Sequence, residues 1–244
     1  MVAVNVNLPD PKDYTDGLQF FRDTHNVVLH NCAELSRMLD DAEALGVFQS
    51  FASHAEWESL FRFFTVDAPR HERDEEEFLF PAIAARVPHV GFQQPDSPIR
   101  FLIEGHQILA QKEEALVRDW AAFRAMPRDA ASLGSAHAAH TAEDANFISR
   151  GHELVRLYRE HIATEEQRVY AVAEKVLSGE EKLELADQLR DVYDNEAISS
   201  LIRFDEPQFS DPHYNAQFIP TEAVGDSTFD MEEDENEEED NILL

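Results

Sequence analysis

Two segments of the sequence carry the same pair of potential metal ligands. The segment HERDEEEFLFP begins with His71 and has Glu75 four residues later, and YREHIATEEQRVY repeats this spacing with His161 and Glu165. Residues four apart lie on one face of an α-helix, so each pair presents an imidazole and a carboxylate in one direction. A buried carboxylate is very costly unless it is protonated, ion-paired or bound to a metal. The two pairs therefore predict a metal site if they face the core.

Long helices have to position these pairs. Glycine is scarce, β-branched alternation is absent, and apolar residues recur at steps of three and four, so the chain is predicted to be all-α. The pattern predicts five helices, at about residues 16–44, 53–86, 98–124, 143–177 and 178–202. The predicted fold is an up-down four-helix bundle with an additional C-terminal helix.

Local signals mark where several of these helices begin. SHAE (53–56) and SGEE (178–181) have the form of capping boxes, in which a serine and a glutamate satisfy each other's backbone N–H groups. Pro69 is expected to kink or restart the second helix, with Asp67 as its N-cap.

The two pairs and two single histidines fall on the apolar stripes of four different helices. His25 and His106 lie on the stripes of the first and third helices, in phase with their buried positions. If neighbouring helices run in opposite directions, a rise of about 1.5 Å per residue brings all of these groups to within about two turns of one level. Imidazole and carboxylate groups buried together form a transition-metal environment. A single pair of this kind is weak evidence, since His54 and Glu58 have the same spacing about 25 Å along the helix from the predicted site.

This pattern resembles the hemerythrin-like (HHE cation-binding) domain family over roughly residues 16–200. The resemblance is carried by DTHNVV, HERDEEEFLFP, EGHQIL and HIATEEQ, in that order. It implies a centre of two iron ions, joined by two bridging glutamates and an oxo or hydroxo group; manganese and zinc stay open. The metal ligands that it implies are His25, His71, Glu75, His106, His161 and Glu165. On this interpretation Glu75 faces inward, whereas Glu72, Asp74 and Glu76 are expected to be in solvent.

One departure from the family bears on function. Oxygen-carrying members have a further histidine four residues after the histidine of the third helix, where this chain has Ala110. The missing imidazole leaves an additional coordination position open, which favours reaction or sensing over simple oxygen carriage.

Other candidate residues receive simpler interpretations. His30 and His152 lie off the stripes and are expected at the surface, and Cys32 is expected to be buried. Tyr158 and Tyr170 flank the fourth-helix pair and are expected mainly to pack in the core, with a hydrogen bond or an electron from Tyr158 to a bound oxygen species left open. The histidines of HAAH, His137 and His140, could bind a metal, but no carboxylate is fixed beside them.

Charge and composition exclude several classes of function. The net charge is −30, and residues 205–244 contain many acidic residues and no lysine or arginine. Such a surface repels phosphates and anionic lipid, so no nucleic-acid or membrane role is expected. One cysteine excludes an internal disulfide, and the N-terminus lacks the pattern of a secretory signal, which predicts a cytoplasmic protein.

The predicted organisation has three parts. Residues 1–15 form an N-terminal extension, residues 16–204 the helical bundle, and residues 205–244 an extended, disordered acidic tail that could bind a protein partner.

The leading functional hypothesis is a non-haem di-iron protein that binds or senses O2, NO or peroxide and is not primarily an enzyme. The first alternative is a di-iron enzyme that scavenges peroxide or NO or aids iron–sulfur cluster repair. The second is a helical module for iron storage or partner binding.

Overall fold

The structure is a computed structural model that describes residues 7–45, 54–88, 96–125 and 142–202. Within these ranges the chain is helical almost throughout and contains no strand, which confirms the predicted all-α class. None of the described helices is both long enough and apolar enough to cross a membrane. The described residues up to residue 200 belong to one compact unit.

Several sequence predictions fall outside the described residues. They are Ser53 of the first predicted capping box, His137 and His140, and the predicted acidic tail. The predicted domain boundaries stay predictions.

Four long helices carry the predicted site, and a fifth follows them. The first bundle helix is α1 (Gly17–Leu45), and the third is α5 (Pro98–Ala125). The second bundle helix is continuous and comprises α2 (His54–Arg62), a π-helical segment (Phe63–Asp67), α3 (Ala68–Asp74), a second π-helical segment (Glu75–Leu79) and α4 (Phe80–Arg86). The fourth bundle helix comprises α6 (Ala142–Glu165), a π-helical segment (Glu166–Tyr170) and α7 (Ala171–Val176), and it is followed by α8 (Gly179–Ile202).

Side-chain caps fix where α1 and α8 begin. Asp16 Oδ1 accepts hydrogen bonds from the backbone N–H groups of Leu18 and Gln19, at 2.9 and 3.1 Å. The Ser178 N–H donates to the Glu181 carboxylate at 2.8 Å, and the Glu181 N–H donates to Ser178 Oγ at 3.2 Å. The predicted capping box at residues 178–181 is confirmed.

The predicted restart of the second bundle helix at Pro69 is wrong. Asp67 has helical backbone angles and its side chain makes no capping hydrogen bond. A π-helical segment ends two residues before Pro69, and another ends two residues before Pro81. A proline lacks the N–H group and its ring collides with the carbonyl of residue i−4 in a regular α-helix. A wider turn just before each proline lets the chain stay helical.

The core consists of two apolar clusters. The Trp57 cluster includes Val28, Leu35, Trp57, Phe64, Leu109, Trp120, Phe147 and Ile162. The Phe80 cluster includes Leu18, Phe21, Phe80, Ile83, Leu102, Val169, Tyr170 and Leu189. Along each bundle helix, residues of one cluster precede the predicted ligands and residues of the other cluster follow them. The order of the clusters reverses from each bundle helix to the next.

Helix α8 packs against the second bundle helix. Leu189 lies in the Phe80 cluster, and the Arg70 guanidinium lies 3.4 Å from the centre of the Tyr193 ring. The Tyr193 hydroxyl donates to Asp74 Oδ2 at 3.1 Å. The C-terminal helix therefore covers the turn that carries His71.

Candidate metal centre

All six residues of the predicted ligand set lie together inside the bundle. One group comprises His25, His71 and Glu75, and the other comprises His106, His161 and Glu165. Within each group, one potential ligand atom from each residue lies within 4.8 Å of the others. Four helices contribute to the centre, and its side chains are almost completely buried.

Glu75 contacts histidines of both groups. Its Oε1 atom lies 3.6 Å from His71 Nε2 and 3.4 Å from His25 Nε2, within its own group. Its Oε2 atom lies 3.5 Å from His106 Nε2, in the other group. The two oxygens of one carboxylate are thus directed at two different sets of imidazoles.

Glu165 has the complementary arrangement. Its Oε1 atom lies 3.1 Å from His161 Nε2 and 3.5 Å from His106 Nε2, and its Oε2 atom lies 3.2 Å from His25 Nε2. Two carboxylates therefore lie between the two groups of histidines, which is the geometry needed to bridge two cations.

The donor atoms of this centre fit bound cations. Six buried atoms of the predicted ligand residues make no hydrogen bond within the described part of the chain: Nδ1 of His71, Oε2 of Glu75, Nε2 of His106, Nε2 of His161 and both carboxylate oxygens of Glu165. Buried polar atoms in native proteins are nearly always satisfied. Imidazole nitrogens combined with carboxylate oxygens form a donor set that suits divalent transition metals.

A second carboxylate orients one histidine of each group. His106 Nδ1 lies 2.7 Å from Glu76 Oε1, and His25 Nδ1 lies 2.8 Å from Glu166 Oε1. A proton on Nδ1 that is held by a carboxylate leaves Nε2 free to bind a metal and fixes the orientation of the ring. Glu76 was expected in solvent, but its carboxylate is only partly exposed and makes this bond. In the sequence, each of these glutamates directly follows a predicted ligand, Glu75 or Glu165. This adjacency could have indicated that they orient the histidines.

Electrostatics show how the centre is compensated without a metal. Burial alone lowers the pKa of His25, but the nearby carboxylates of Glu165, Glu166 and Glu75 raise that pKa well above the ordinary value. His106 behaves in the same way, and its pKa rises to about 12. Burial lowers the pKa of His71 to about 4, which favours the neutral, metal-binding form. Protons on two imidazoles thus compensate the two carboxylates, so metal ions and protons compete for this centre.

Tyr170 is part of the centre, whereas the sequence predicted mainly a packing role. Its hydroxyl donates a hydrogen bond to Glu75 Oε1 and lies 3.4 Å from His25 Nε2. Its ring centre is 4.8 Å from that of His25. The hydroxyl holds one oxygen of a central carboxylate in place.

The prediction that Glu72 and Asp74 are solvated is wrong, since both side chains are buried. The Tyr158 hydroxyl lies within hydrogen-bond distance of the carboxylates of both Glu72 and Glu113, and its distance to Glu72 Oε1 is 3.2 Å. Asp74 is covered by Tyr193 of α8. The second bundle helix has neighbours on several sides, so acidic residues flanking Glu75 are enclosed as well.

Ala110 does not lie on the buried face of α5. His106, Leu109 and Glu113 are buried, whereas Ala110 is exposed. The side chain of a histidine at position 110 would therefore start on the exposed face of the helix. We do not expect it to become a metal ligand.

Gly105 allows the third and fourth bundle helices to approach at the centre. A Cβ atom at Gly105 would lie 2.6 Å from His161 Nδ1 and 2.9 Å from its Cε1. Only a residue without a side chain leaves room for the imidazole of His161. Neither spacing nor periodicity indicated this role, although Gly105 directly precedes His106.

The remaining candidates lie outside the centre. Cys32 is buried and His30 is exposed, as predicted. His152 lies at the surface with its Nε2 3.4 Å from Asp40 Oδ1, and these two residues form a third group of potential ligands with Glu43. That group is largely exposed.

Comparison with protein families agrees with this geometry. Residues 16–173, more than half of the chain, match the family described as the hemerythrin HHE cation binding domain. The chain belongs to this family and is a helical metal-binding protein. Neither a curated protein nor a solved structure matches it.

Gly105→Ala is expected to reduce metal binding at the group that contains His161. The added methyl group must displace the imidazole, so the metal content measured by mass spectrometry should fall by about half, because the other group keeps its residues. Gly151→Ala is a matched control, since its Cβ would lie 2.5 Å from Leu39 Cδ1, away from the centre. It should lower the melting temperature and leave metal content unchanged.

A second control is Gly179→Ala, where no atom lies within 4 Å of the added Cβ. This variant should leave the metal content unchanged and should not lower the melting temperature. Equal metal content in the Gly105 variant and both controls would contradict a positioning role for Gly105.

Glu113→Gln is expected to stabilise the protein at alkaline pH. Burial raises the pKa of Glu113 to about 7 from 4.5. The folded state therefore keeps a proton that the unfolded state loses, and stability declines as pH rises from about 4.5 to 7. The variant should gain about 3 kcal/mol relative to the wild type between pH 4.5 and pH 8, at about 1.4 kcal/mol per pKa unit.

Denaturant unfolding of the metal-free protein at both pH values measures this gain. Glu114→Gln is the control, because the Glu114 side chain is exposed on the same helix. Its effect should be small at both pH values. A gain for Glu113→Gln that is the same at pH 4.5 and pH 8 would contradict a raised pKa.

Proposed function

We propose that this protein binds two iron ions in the bundle and uses them to bind or sense O2, NO or peroxide. One observation carries the proposal: each of two buried glutamates directs its oxygens at histidines of both groups. A single cation would need only one such group. Two groups that share two carboxylates fit a pair of ions.

Each ion would be held by one pair of imidazoles. His25 and His71 would hold the first ion and His106 and His161 the second, with Glu75 and Glu165 shared between them. When bound, iron supplies reversible one-electron chemistry and positions for small ligands. Ligation by two imidazoles and two carboxylate oxygens leaves positions for such ligands on an ion that prefers six donors.

The surrounding residues support this role by fixing the ligands and excluding water. Glu76 and Glu166 hold protons on Nδ1 of His106 and His25, and the Tyr170 hydroxyl fixes Glu75. The Trp57 and Phe80 clusters enclose the centre on both sides. A centre that is fixed and dry favours selective access of small molecules.

The order of the apolar clusters along the bundle helices supports an up-down bundle around the proposed metal centre. The order of the two apolar clusters reverses from each bundle helix to the next, as expected when neighbouring helices run in opposite directions. This order brings ligands from four helices to one level. Helix α5 contains one histidine, His106, and so supplies no fifth imidazole, which favours reaction or sensing over carriage.

We expect about two metal ions per chain in protein purified from iron-supplied cells. His71→Ala and His161→Ala should each lose metal, because each opens one group and leaves a carboxylate poorly compensated. His30→Ala is the control, since His30 lies one and a half turns from His25 and is exposed. Metal analysis with an optical spectrum measures both content and identity. Equal metal content in all three variants and the wild type would contradict the site.

The reaction with O2 tests whether the centre is a carrier. Anaerobic ferrous protein mixed with O2 in a stopped-flow instrument should oxidise rapidly, and its spectrum should not return when O2 is removed. Recovery of the ferrous spectrum under vacuum would instead support carriage. Sustained consumption of peroxide or NO in the presence of a reductant would favour the scavenging enzyme over the sensor.

A further inference from the structure

A surface pocket opens between the start of α5 and the fourth bundle helix. Its volume is about 290 Å³. The lining residues include Ser97, Phe101, Leu102, Thr164 and Val169. No motif or spacing in the sequence indicates this pocket, and the proposed metal chemistry does not require its residues as ligands.

The floor of the pocket lies close to the metal centre. Leu102 and Val169 line the pocket, yet both are buried in the Phe80 cluster. Leu102 precedes His106 by four residues on α5, and Val169 follows Glu165 by four residues. Side chains four apart lie on one helix face and about one turn from each other. Two buried side chains of the pocket lining therefore lie about one helical turn from His106 and Glu165.

We propose that small uncharged molecules reach the metal centre through this pocket, with Leu102 and Val169 as the barrier that they pass. The inference rests on the proposed function and specifies how its ligands arrive and at which group. Rotamer changes of these two aliphatic side chains would open the path, and such motions are fast compared with helix movements.

The chemistry of the pocket favours a neutral diatomic molecule. Its floor is aliphatic, and desolvation of an ion against such a surface is costly. Asp96 and Glu104 line the pocket together with Arg168, so carboxylates outnumber cationic groups there. Anions are disfavoured at this opening, whereas O2 and NO are not.

The opposite side of His106 offers a matched comparison. Leu109 follows His106 by three residues on the same helix, is buried like Leu102, and packs in the Trp57 cluster. It does not line the pocket. Equivalent substitutions of Leu102 and Leu109 therefore remove similar volume on two sides of one ligand, and only one of them lowers the proposed barrier.

The first test measures NO binding to the ferrous protein by stopped-flow and by displacement. Leu102→Val and Val169→Ala should increase the association and dissociation rates several-fold and by equal factors, so that the dissociation constant is unchanged. A change in the geometry of the centre would alter affinity instead. Leu109→Val should leave both rates unchanged. An equal acceleration by Leu109→Val, or no acceleration by either pocket variant, would overturn the proposal.

The second test does not depend on the metal. Xenon, an apolar probe of similar size, is applied under pressure to the full chain as purified, and the methyl resonances are followed by NMR. Shifts centred on Leu102 and Val169 support the route, and shifts confined to other methyl groups overturn it. A protein that binds no iron would give no NO spectrum and would contradict the proposed function, whereas the xenon result would still decide whether this pocket admits small apolar molecules.

Discussion

The structure depends on placing two carboxylates, Glu75 and Glu165, between the two apolar clusters of the core. An ionised carboxylate loses several kcal/mol of hydration when it is buried, and this loss must be compensated locally. In the metal-free protein the protonated imidazoles of His25 and His106 supply the compensation, and around cations all four imidazoles would be fellow ligands. Because each helix contributes at least one of these groups, the centre also connects the four helices at one level.

Several local features keep these side chains at that level. The π-helical segments before Pro69 and Pro81 keep the second bundle helix continuous, so that His71 and Glu75 lie on one uninterrupted helix. Gly105 lets the imidazole of His161 lie against α5. Helix α8 covers Asp74 and the turn around it, which encloses the ligand-bearing part of the second bundle helix. Each of these features involves few residues, and each helps to hold a predicted ligand in place.

The helices and the six predicted ligand residues could be predicted from the sequence, because periodicity and spacing are local properties. The helix beginning at Ser178 followed from capping chemistry, and the four-residue spacing of His71 and Glu75 placed them on one face. The burial of Glu72 and Asp74 could not be predicted, since it depends on which neighbouring helix covers each face. Tyr170 was assigned mainly to packing, because a tyrosine on an apolar stripe looks the same whether or not its hydroxyl meets a carboxylate.

The central claim is that Glu75 and Glu165 are shared by two metal ions. A crystal structure of the metal-loaded protein, with anomalous scattering recorded at the iron absorption edge, tests it most directly. We expect two anomalous peaks, one beside His25 and His71 and one beside His106 and His161, with an oxygen of each glutamate on each ion. A single peak, or two peaks with each glutamate confined to one ion, would contradict it.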